Sequence, residues 1–328
     1  MVLKSKEKTA MIVTSFAENF KLALDQHGHP IAISERYGNP VTFRLESKAG
    51  RKEVTKEALQ LDFIPTRRET NAAAEGLCDL AEASGYEVTA HLRSVELDGK
   101  VIIDVGDVEQ TRYVIEAGNV EMVTEGSDVL FHRPPTMQSL PIVSSEGNLD
   151  LLREYVNVSL EDYWLIVAFI TFALANSHNP NVILVLQGIA GSGKSILCQM
   201  LQSLIDPSAL KGQIFPSSVS DFVILCQSSR LIIFDNIRDI AKKWSDVICI
   251  SSTSGTLATR QLYTNDGLHV HQINVNLILN GIHPFITQTD LSERCLAIKL
   301  PVLPEDERKS PQQLLKKFNE DRPVIFKG

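Results

Sequence analysis

The sequence has few cysteines and no paired arrangement of them. None of its five cysteines forms a C-x-x-C pair with another: Cys78, Cys198, Cys226, Cys249 and Cys295. Closely spaced pairs are the usual signature of zinc sites, and disulfide-stabilised domains need a dense cysteine framework. We therefore expect neither a zinc site nor a disulfide framework, and we interpret the scattered histidines as structural or surface residues.

Long hydrophobic runs are also missing. The most apolar run, YWLIVAFITFALA at residues 163–175, is shorter than the roughly 20 residues that cross a bilayer as a helix. The N-terminal residues include lysines but no sustained apolar core, so a secretory signal is not predicted. These absences predict a cytoplasmic protein with no membrane segment.

Positive charge is scarce in one part of the chain. The formal net charge is −8, and residues 71–150 contain only four Lys and Arg against fifteen Asp and Glu. An acidic surface repels the phosphate backbone of nucleic acids. Any contact with DNA is therefore expected before residue 71 or after residue 150.

One stretch carries a specific chemical signature, NVILVLQGIAGSGKS at residues 181–195. Residues 182–187 form an apolar run typical of a buried parallel strand. The pattern G-x-x-x-x-G-K-[ST] follows from Gly188, and apolar residues at helical spacing continue after Lys194. A glycine-rich loop between a strand and a helix is the structural context of the phosphate-binding P-loop.

The residue types of this loop match the chemistry of a nucleotide site. Glycines allow a tight turn whose N–H groups point at phosphate oxygens at a helix N-terminus. Lys194 would reach the β- and γ-phosphates, and the Ser195 hydroxyl would bind Mg²⁺. The predicted nucleotide-binding residues are Gly188, Ala190, Gly191, Ser192, Gly193, Lys194, Ser195 and Ile196.

A second motif follows the loop by about 40 residues, a spacing typical of P-loop NTPases. The sequence RLIIFD ends an apolar strand on Asp235. We predict that this strand neighbours the P-loop strand in a parallel sheet. An acid at its carboxyl end, the Walker B position, can hold Mg²⁺.

The order of patterns predicts an α/β protein. We expect a P-loop AAA+-like parallel sheet flanked by helices, preceded by a small β-rich α+β domain with a hairpin at Asp98-Gly99. The predicted segments are a mixed α/β region at 1–70, a β-rich domain at 71–145, an ATPase domain at 146–302 and a charged tail at 303–328.

The motifs GIAGSGKS, LIIFDN, STSGTLATRQLY, LILNGI and DLSERCLAIKLP occur in this order. Their order resembles the ATPase core of helicase-like proteins of phages and integrated mobile elements. These proteins are related to the superfamily 3 helicases within the AAA+ class and often sit beside or are fused to primases. The resemblance covers roughly residues 145–302, and it implies ATP and Mg²⁺ as cofactors.

The resemblance assigns roles to single residues. Lys194 and Ser195 match the Walker A lysine and hydroxyl, and Asp235 matches the Walker B metal ligand. Asn280 matches sensor 1, which orients the attacking water. Arg294 matches the arginine that acts on the γ-phosphate, either from a neighbouring subunit or in cis.

The family also implies partners. An arginine supplied by a neighbouring subunit explains why such ATPases work as homo-oligomeric rings, commonly hexamers. The segment around Arg260 matches the part of superfamily 3 helicases that carries a DNA-contacting hairpin. The resemblance therefore implies DNA as a partner, preferentially single-stranded. A primase or another replication protein is the further partner that the resemblance implies.

Position 236 leaves an alternative open. Active AAA+ ATPases generally have a second acid there, and this chain has Asn236. Asp239 or Asp221 are candidates to replace it as the base. The rival interpretation is an ATP-binding scaffold or regulatory module with weak or no hydrolysis. A small-molecule P-loop kinase fits poorly, since no arginine-rich lid follows the P-loop.

Overall fold

We analysed a computed structural model of the chain. It describes residues 4–35, 38–178, 180–253, 255–260, 268–304, 308 and 310–328, with the backbone only at 260, 268 and 269. Contacts within the chain group it into two compact units. Unit 1 comprises residues 1–93, 108–114 and 120–135, and unit 2 comprises residues 94–107, 115–119 and 136–328.

The elements up to residue 135 are α1 (Ser5–Asn19), β1 (Lys21–Leu24), β2 (Pro30–Ser34), β3 (Val41–Arg44), α2 (Lys48–Gln60), α3 (Arg67–Ser84), β4 (Ala90–His91), β5 (Ser94–Leu97), β6 (Lys100–Asp104), β7 (Arg112–Glu116), β8 (Asn119–Val123) and β9 (Leu130–His132). The following elements are a 3₁₀ helix (Leu149–Glu154), α4 (Leu160–Ala175), β10 (Ile183–Gln187), α5 (Lys194–Ile205), α6 (Val219–Cys226), β11 (Leu231–Ile237), α7 (Lys242–Thr253), β12 (Thr256–Arg260), β13 (Leu268–Gln272), β14 (Asn276–Gly281), α8 (Thr289–Ser292), β15 (Cys295–Lys299) and α9 (Pro311–Lys327).

Unit 1 is a sheet covered by helices. Its strand order is β1-β2-β3-β9-β4, with β1, β2 and β3 antiparallel and β9 parallel to both β3 and β4. Helix α3 begins with a capping box at Thr66 and Glu69 and ends at Gly85 in the left-handed conformation. Ala73 and Leu77 of α3 pack in one core with Phe16 of α1. The predicted boundary at residue 70 therefore falls inside a helix of unit 1.

The predicted hairpin at Asp98-Gly99 is confirmed. Strands β5 and β6 pair antiparallel around this turn, with Leu97 opposite Lys100. Both turn residues have positive φ, 53° at Asp98 and 77° at Gly99. Two successive positive φ values match the strand twist in two-residue hairpins, which explains the Asp-Gly pair.

Unit 2 contains the predicted parallel sheet, and the predicted fold class is confirmed. Its strand order is β11-β14-β10-β15, and every neighbouring pair is parallel. Alternate residues of β10 pack on opposite faces: Val185 lies in one core with residues of α6 and α7, and Leu184 lies in another with residues of α4 and α5. Burial on both faces explains the continuous apolar run of the sequence.

One detail of the sheet differs from the prediction. Strand β11, which carries Asp235, does not neighbour the P-loop strand β10, because β14 lies between them. The β14 strand follows β11 in sequence but inserts beside β10. Strand order depends on how crossover helices pack on the sheet, and the order of motifs along the chain does not record it.

The segment predicted as a charged tail contains α9. Phe318 and Ile325 of this helix are buried against Leu152, Met200 and Leu204. Lys316, Lys317 and Glu320 are exposed, so the charges belong to the outer face of an amphipathic helix. Within the part of the chain that the structure describes, no helix is long and apolar enough to cross a membrane.

Candidate functional site

Three parallel strands bring most of the predicted site residues to one edge of the unit 2 sheet, where the strands end. Leu186 of β10 lies opposite Asn280 of β14, and Gln187 lies opposite Gly281. The neighbouring β11 ends at the same edge, with Ile237 opposite Gly281. Polar residues that follow the carboxyl ends of adjacent parallel strands share one crevice, the usual ligand position in open α/β sheets.

The loop between β10 and α5 needs its glycines for two physical reasons. Gly191 and Gly193 have φ values of 82° and 87°, in the left-handed region that favours glycine. Gly188 has no room for a side chain, because a Cβ atom there would lie 2.7 Å from the Ser192 Oγ and 2.8 Å from the Leu300 carbonyl oxygen. The glycine pattern is thus a packing and backbone requirement of this loop.

Lys194 starts α5 directly after the loop, and its side chain folds over the loop backbone. The Nζ donates to the carbonyl oxygens of Gly188 at 2.6 Å and Ile189 at 3.0 Å. Burial lowers the pKa of the ammonium, and the nearby Asp235 carboxylate acts in the opposite direction. The lysine charge is therefore held at the loop rather than in solvent.

A short hydrogen-bond chain connects the other predicted residues. The Asn280 Nδ2 donates to the Asp235 Oδ1 at 2.6 Å and to the Ser195 Oγ at 3.4 Å. The carboxylate can only accept, so it determines which end of the Asn280 amide faces it. The Asn280 Oδ1 is buried and has no hydrogen-bond partner among the described residues. One acceptor therefore remains open beside Ser195 and Asp235.

A bulge in β11 aims the Asp235 side chain. Between the pairs Phe234–Leu279 and Ile237–Gly281, two residues of β11 face the single residue Asn280. Asn236 takes up the bulge with a φ of 58°, and its N–H donates to the Asp235 Oδ1 at 2.7 Å. Asparagine tolerates this left-handed conformation better than most residues, which gives the asparagine at this position a backbone reason.

These residues surround a pocket of about 360 Å³. The described residues that line it are Ala190, Gly191, Gly193, Lys194, Ser195, Ile196, Asp235, Asn236, Asn280, Gly281 and Ile282. Gly188 and Ser192 do not line the pocket, but they shape the loop. A Cβ atom on Gly188 would meet the Ser192 Oγ, and the Lys194 Nζ donates to the same Oγ. Asp235 carries the one carboxylate among the described lining residues.

The donor set fits Mg²⁺. A serine hydroxyl and a single carboxylate are hard oxygen ligands, and Mg²⁺ at phosphate sites takes its remaining ligands from water and phosphate. The described residues include no group of three or more His, Cys, Asp or Glu that could hold a metal ion by themselves. Ser195 and Asp235 would hold the ion together with a bound nucleotide.

Arg294 lies at the opposite edge of the same sheet. Its carbonyl oxygen accepts from the Ile183 N–H at the start of β10, and its Nη1 pairs with the Asp290 Oδ1 at 2.5 Å. The P-loop follows the other end of β10, four residue steps or about 13 Å farther along the strand. The structure thus brings Ser195, Asp235 and Asn280 together and does not bring Arg294 to them.

The other candidates lie away from the pocket. Asp221 lies in the first turn of α6, which Ser218 caps, and hydrogen bonds from Ser218 and Ser217 lower its pKa. Neither Asp221 nor Asp239 lines the pocket. The Arg260 side chain and the hairpin turn at 261–267 lie outside the described residues, although the backbones of β12 and β13 pair antiparallel.

Two residues that the sequence analysis missed contact the site. A Cβ atom on Gly212 would lie 2.7 Å from the Asp235 Cβ, because the segment containing Gly212 pairs beside β11 through Gln213. A Cβ atom on Gly191 would lie 3.3 Å from the Arg308 Cζ. Neither residue belongs to a local motif, so no sequence signal identifies them.

Comparison with known proteins shows the family and the fold. Residues 149–328 match a family described as actinomycete integrative conjugative element replication protein. This match confirms the resemblance to proteins of integrated mobile elements, and it includes α9. No curated protein matches the chain.

Two solved structures share the fold. An A-form apo structure of the NrS-1 C-terminal region aligns with a TM-score of 0.55 and 12% identity over 99% of this chain and 68% of that one. An apo structure of NrS-1 residues 305–718 aligns with a TM-score of 0.52 and 13% identity over 98% and 69%. A JCV helicase structure aligns with a TM-score of 0.34 and 13% identity over 50% and 47%, a level from which we infer nothing.

Proposed function

This chain belongs to the replication proteins of actinomycete integrative conjugative elements, and we propose that it is an ATP- and Mg²⁺-dependent, oligomeric, helicase-like ATPase that acts on DNA. The observation that carries the proposal is the contact of Asn280 with both Asp235 and Ser195 beside the P-loop. A merely structural glycine turn gives no reason for these polar side chains to meet there.

Each residue has a role in phosphoryl transfer. The catalytic demand of this reaction is positioning and charge neutralisation. Lys194 would neutralise the terminal phosphates, and the loop N–H groups would hold them at the start of α5. The open Asn280 Oδ1 would accept a hydrogen bond from the attacking water. Bound Mg²⁺, held by Ser195 and Asp235, would neutralise charge on the phosphates.

The position of Arg294 favours action between subunits. An arginine finger has to reach the γ-phosphate, and Arg294 lies at the edge of the sheet opposite to the pocket of its own chain. In a head-to-tail ring this edge of one copy would meet the pocket of the next. We therefore propose a homo-oligomeric ring, such as a hexamer, that uses Arg294 in trans. Single-stranded DNA is its proposed ligand, and a primase or another replication protein is its proposed partner.

A second candidate function rests on Asn236. Asp235 alone contributes a carboxylate to the described pocket lining, so a general base beside the metal ligand is missing there. An ATP-binding scaffold that assembles on nucleotide but turns it over weakly or not at all is consistent with this chemistry.

One experiment separates the two candidates. ATP binding, ATP turnover with and without single-stranded DNA, and mass in solution are measured on the purified chain. The helicase-like ATPase predicts a ring with DNA-stimulated turnover, whereas the scaffold predicts nucleotide binding without turnover or a DNA effect. Lys194→Ala should abolish ATP binding, and Lys316→Ala, at an exposed lysine of α9, is its control. Unchanged ATP affinity in the Lys194 variant would overturn the P-loop assignment.

A further inference from the structure

Arg308 lies against the P-loop, although in sequence it comes after β15, the last strand along the chain. A Cβ atom built on Gly191 would lie 3.3 Å from both Cζ and Nη2 of Arg308, and 3.5 Å from Nη1. The guanidinium therefore contacts the loop at its middle glycine. Gly191 lines the pocket, and Arg308 does not, so the guanidinium lies beside the site, one loop residue away from the pocket.

The guanidinium has unused donors at this position. Its Nε donates to the Leu303 carbonyl oxygen at 3.0 Å, which anchors the side chain. The Nη1 and Nη2 groups carry the four other N–H donors of an arginine. The structure gives them no acceptor among the described residues, and Arg308 is exposed. As far as the described residues go, these donors are available to a ligand at the loop.

The charges around the loop favour an anionic ligand for these donors. Lys194 and the N-terminus of α5 provide positive potential from within the loop. Arg294 of the same chain lies about 13 Å away along β10 and cannot add to it. A nucleotide triphosphate carries several negative charges, and arginine is the side chain best suited to bind phosphate with paired N–H donors.

We propose that Arg308 is a phosphate-binding residue of this site, which contacts the terminal phosphates of ATP from the same chain that holds the P-loop. The inference rests on the proposed function, because it assumes that the loop binds ATP. It assigns two arginines to different tasks, with Arg308 acting in cis and Arg294 acting between subunits.

Nucleotide binding to variants of the full chain tests this assignment. Loss of a charge-assisted contact to phosphate predicts that Arg308→Ala raises the Kd for ATP about tenfold or more. Arg308→Lys keeps the charge but loses the paired donors, so its Kd should be intermediate. The control is Arg238→Ala, which removes the same charge from an exposed residue that follows Asp235 by three positions and does not line the pocket.

Thermal unfolding separates binding from a structural role. A binding role predicts that Arg308→Ala leaves the Tm of the nucleotide-free protein unchanged and reduces the stabilisation produced by added ATP. A lower Tm without nucleotide, together with an unchanged ATP Kd, would overturn the proposal in favour of a packing role. Equal ATP affinity in the Arg308 and Arg238 variants would also overturn it.

The wild-type protein distinguishes the two levels of inference. If wild type binds no ATP, the proposed function fails and the role of Arg308 fails with it. If wild type binds ATP and Lys194→Ala does not, the nucleotide site stands, and the Arg308 variants alone decide whether this arginine belongs to it.

Discussion

Replacing Asn280 with alanine removes the side chain that joins the two proposed metal ligands. Asn280 is 1% exposed and donates to the Asp235 Oδ1 at 2.6 Å. Without it, Asp235 keeps the N–H of Asn236 as a donor but loses its side-chain partner. We expect the carboxylate to become less constrained and the water-binding acceptor to disappear.

The magnitude follows from the kind of hydrogen bond that is lost. A hydrogen bond to a charged group contributes roughly 1.5–3 kcal/mol. If this energy serves to position groups for reaction, and about 1.4 kcal/mol corresponds to a tenfold change in rate, kcat should fall by about 10- to 150-fold. The ATP affinity should change much less, because the loop and Lys194 remain.

Asn276→Ala is a matched control on the same strand. Asn276 is also buried, four residues earlier in β14, but it lies at the amino edge and faces Arg230 and Ala173 carbonyl oxygens at 3.5 Å. The Asn276→Ala variant should be less stable than wild type but show no specific loss of turnover. Steady-state ATP hydrolysis and equilibrium nucleotide binding are the assays. An Asn280 variant that retains full kcat, or that loses no more activity than the Asn276 variant, would refute the reasoning.

Two further predictions concern glycine packing and a half-buried histidine. Gly212→Ala should push the Asp235 carboxylate aside, since the new Cβ would lie 2.7 Å from the Asp235 Cβ, and a shift of about 1 Å costs on the order of 10²-fold in turnover. Gly76→Ala in α3, where the new Cβ would meet only the Val13 Cγ2 at 3.6 Å, is its control and should leave turnover unchanged. Burial lowers the pKa of His132 to about 4, with Arg44 acting in the same direction. Because the unfolded chain takes up a proton near pH 6.5 and the folded chain does not, stability should fall by about 2 kcal/mol between pH 7 and pH 5. Urea unfolding should show that loss, and His132→Gln should reduce it. A His132 ring that titrates near 6.5 by NMR, assigned by its absence from the spectrum of the His132→Gln variant, would contradict the prediction.

Local patterns in the sequence predicted the features that depend on neighbouring residues. The P-loop is contiguous, and its glycines, lysine and serine occupy one turn between a strand and a helix. The hairpin at Asp98-Gly99 is equally local, because two positive φ values suffice to specify it. The apolar runs predicted buried strands, since β10 is covered on both faces.

The meeting of Ser195, Asp235 and Asn280 required one further rule. Each residue lies at or after the carboxyl end of a strand or at the start of the helix that follows it. In a parallel sheet these positions share an edge, so their convergence could be anticipated without knowing the order of the strands. The contact of Asn280 with Asp235 depends on β14 lying next to β11, which the sequence does not record.

The amino-acid sequence by itself therefore determined which residue types meet at the site: a glycine-rich loop with a lysine and a serine, an acid at a strand end and a polar residue that accompanies them. Only the tertiary structure decided which arginine lies near the loop, because Arg294 and Arg308 are close in sequence and lie toward opposite ends of β15. Arg294 directly precedes β15, where the parallel strands begin. Arg308 follows β15 and lies near the loop, where the strands end. The length of β15 separates these two arginines, although they are close in sequence. Packing of the chain brings Arg308 to a loop that lies more than 100 residues earlier.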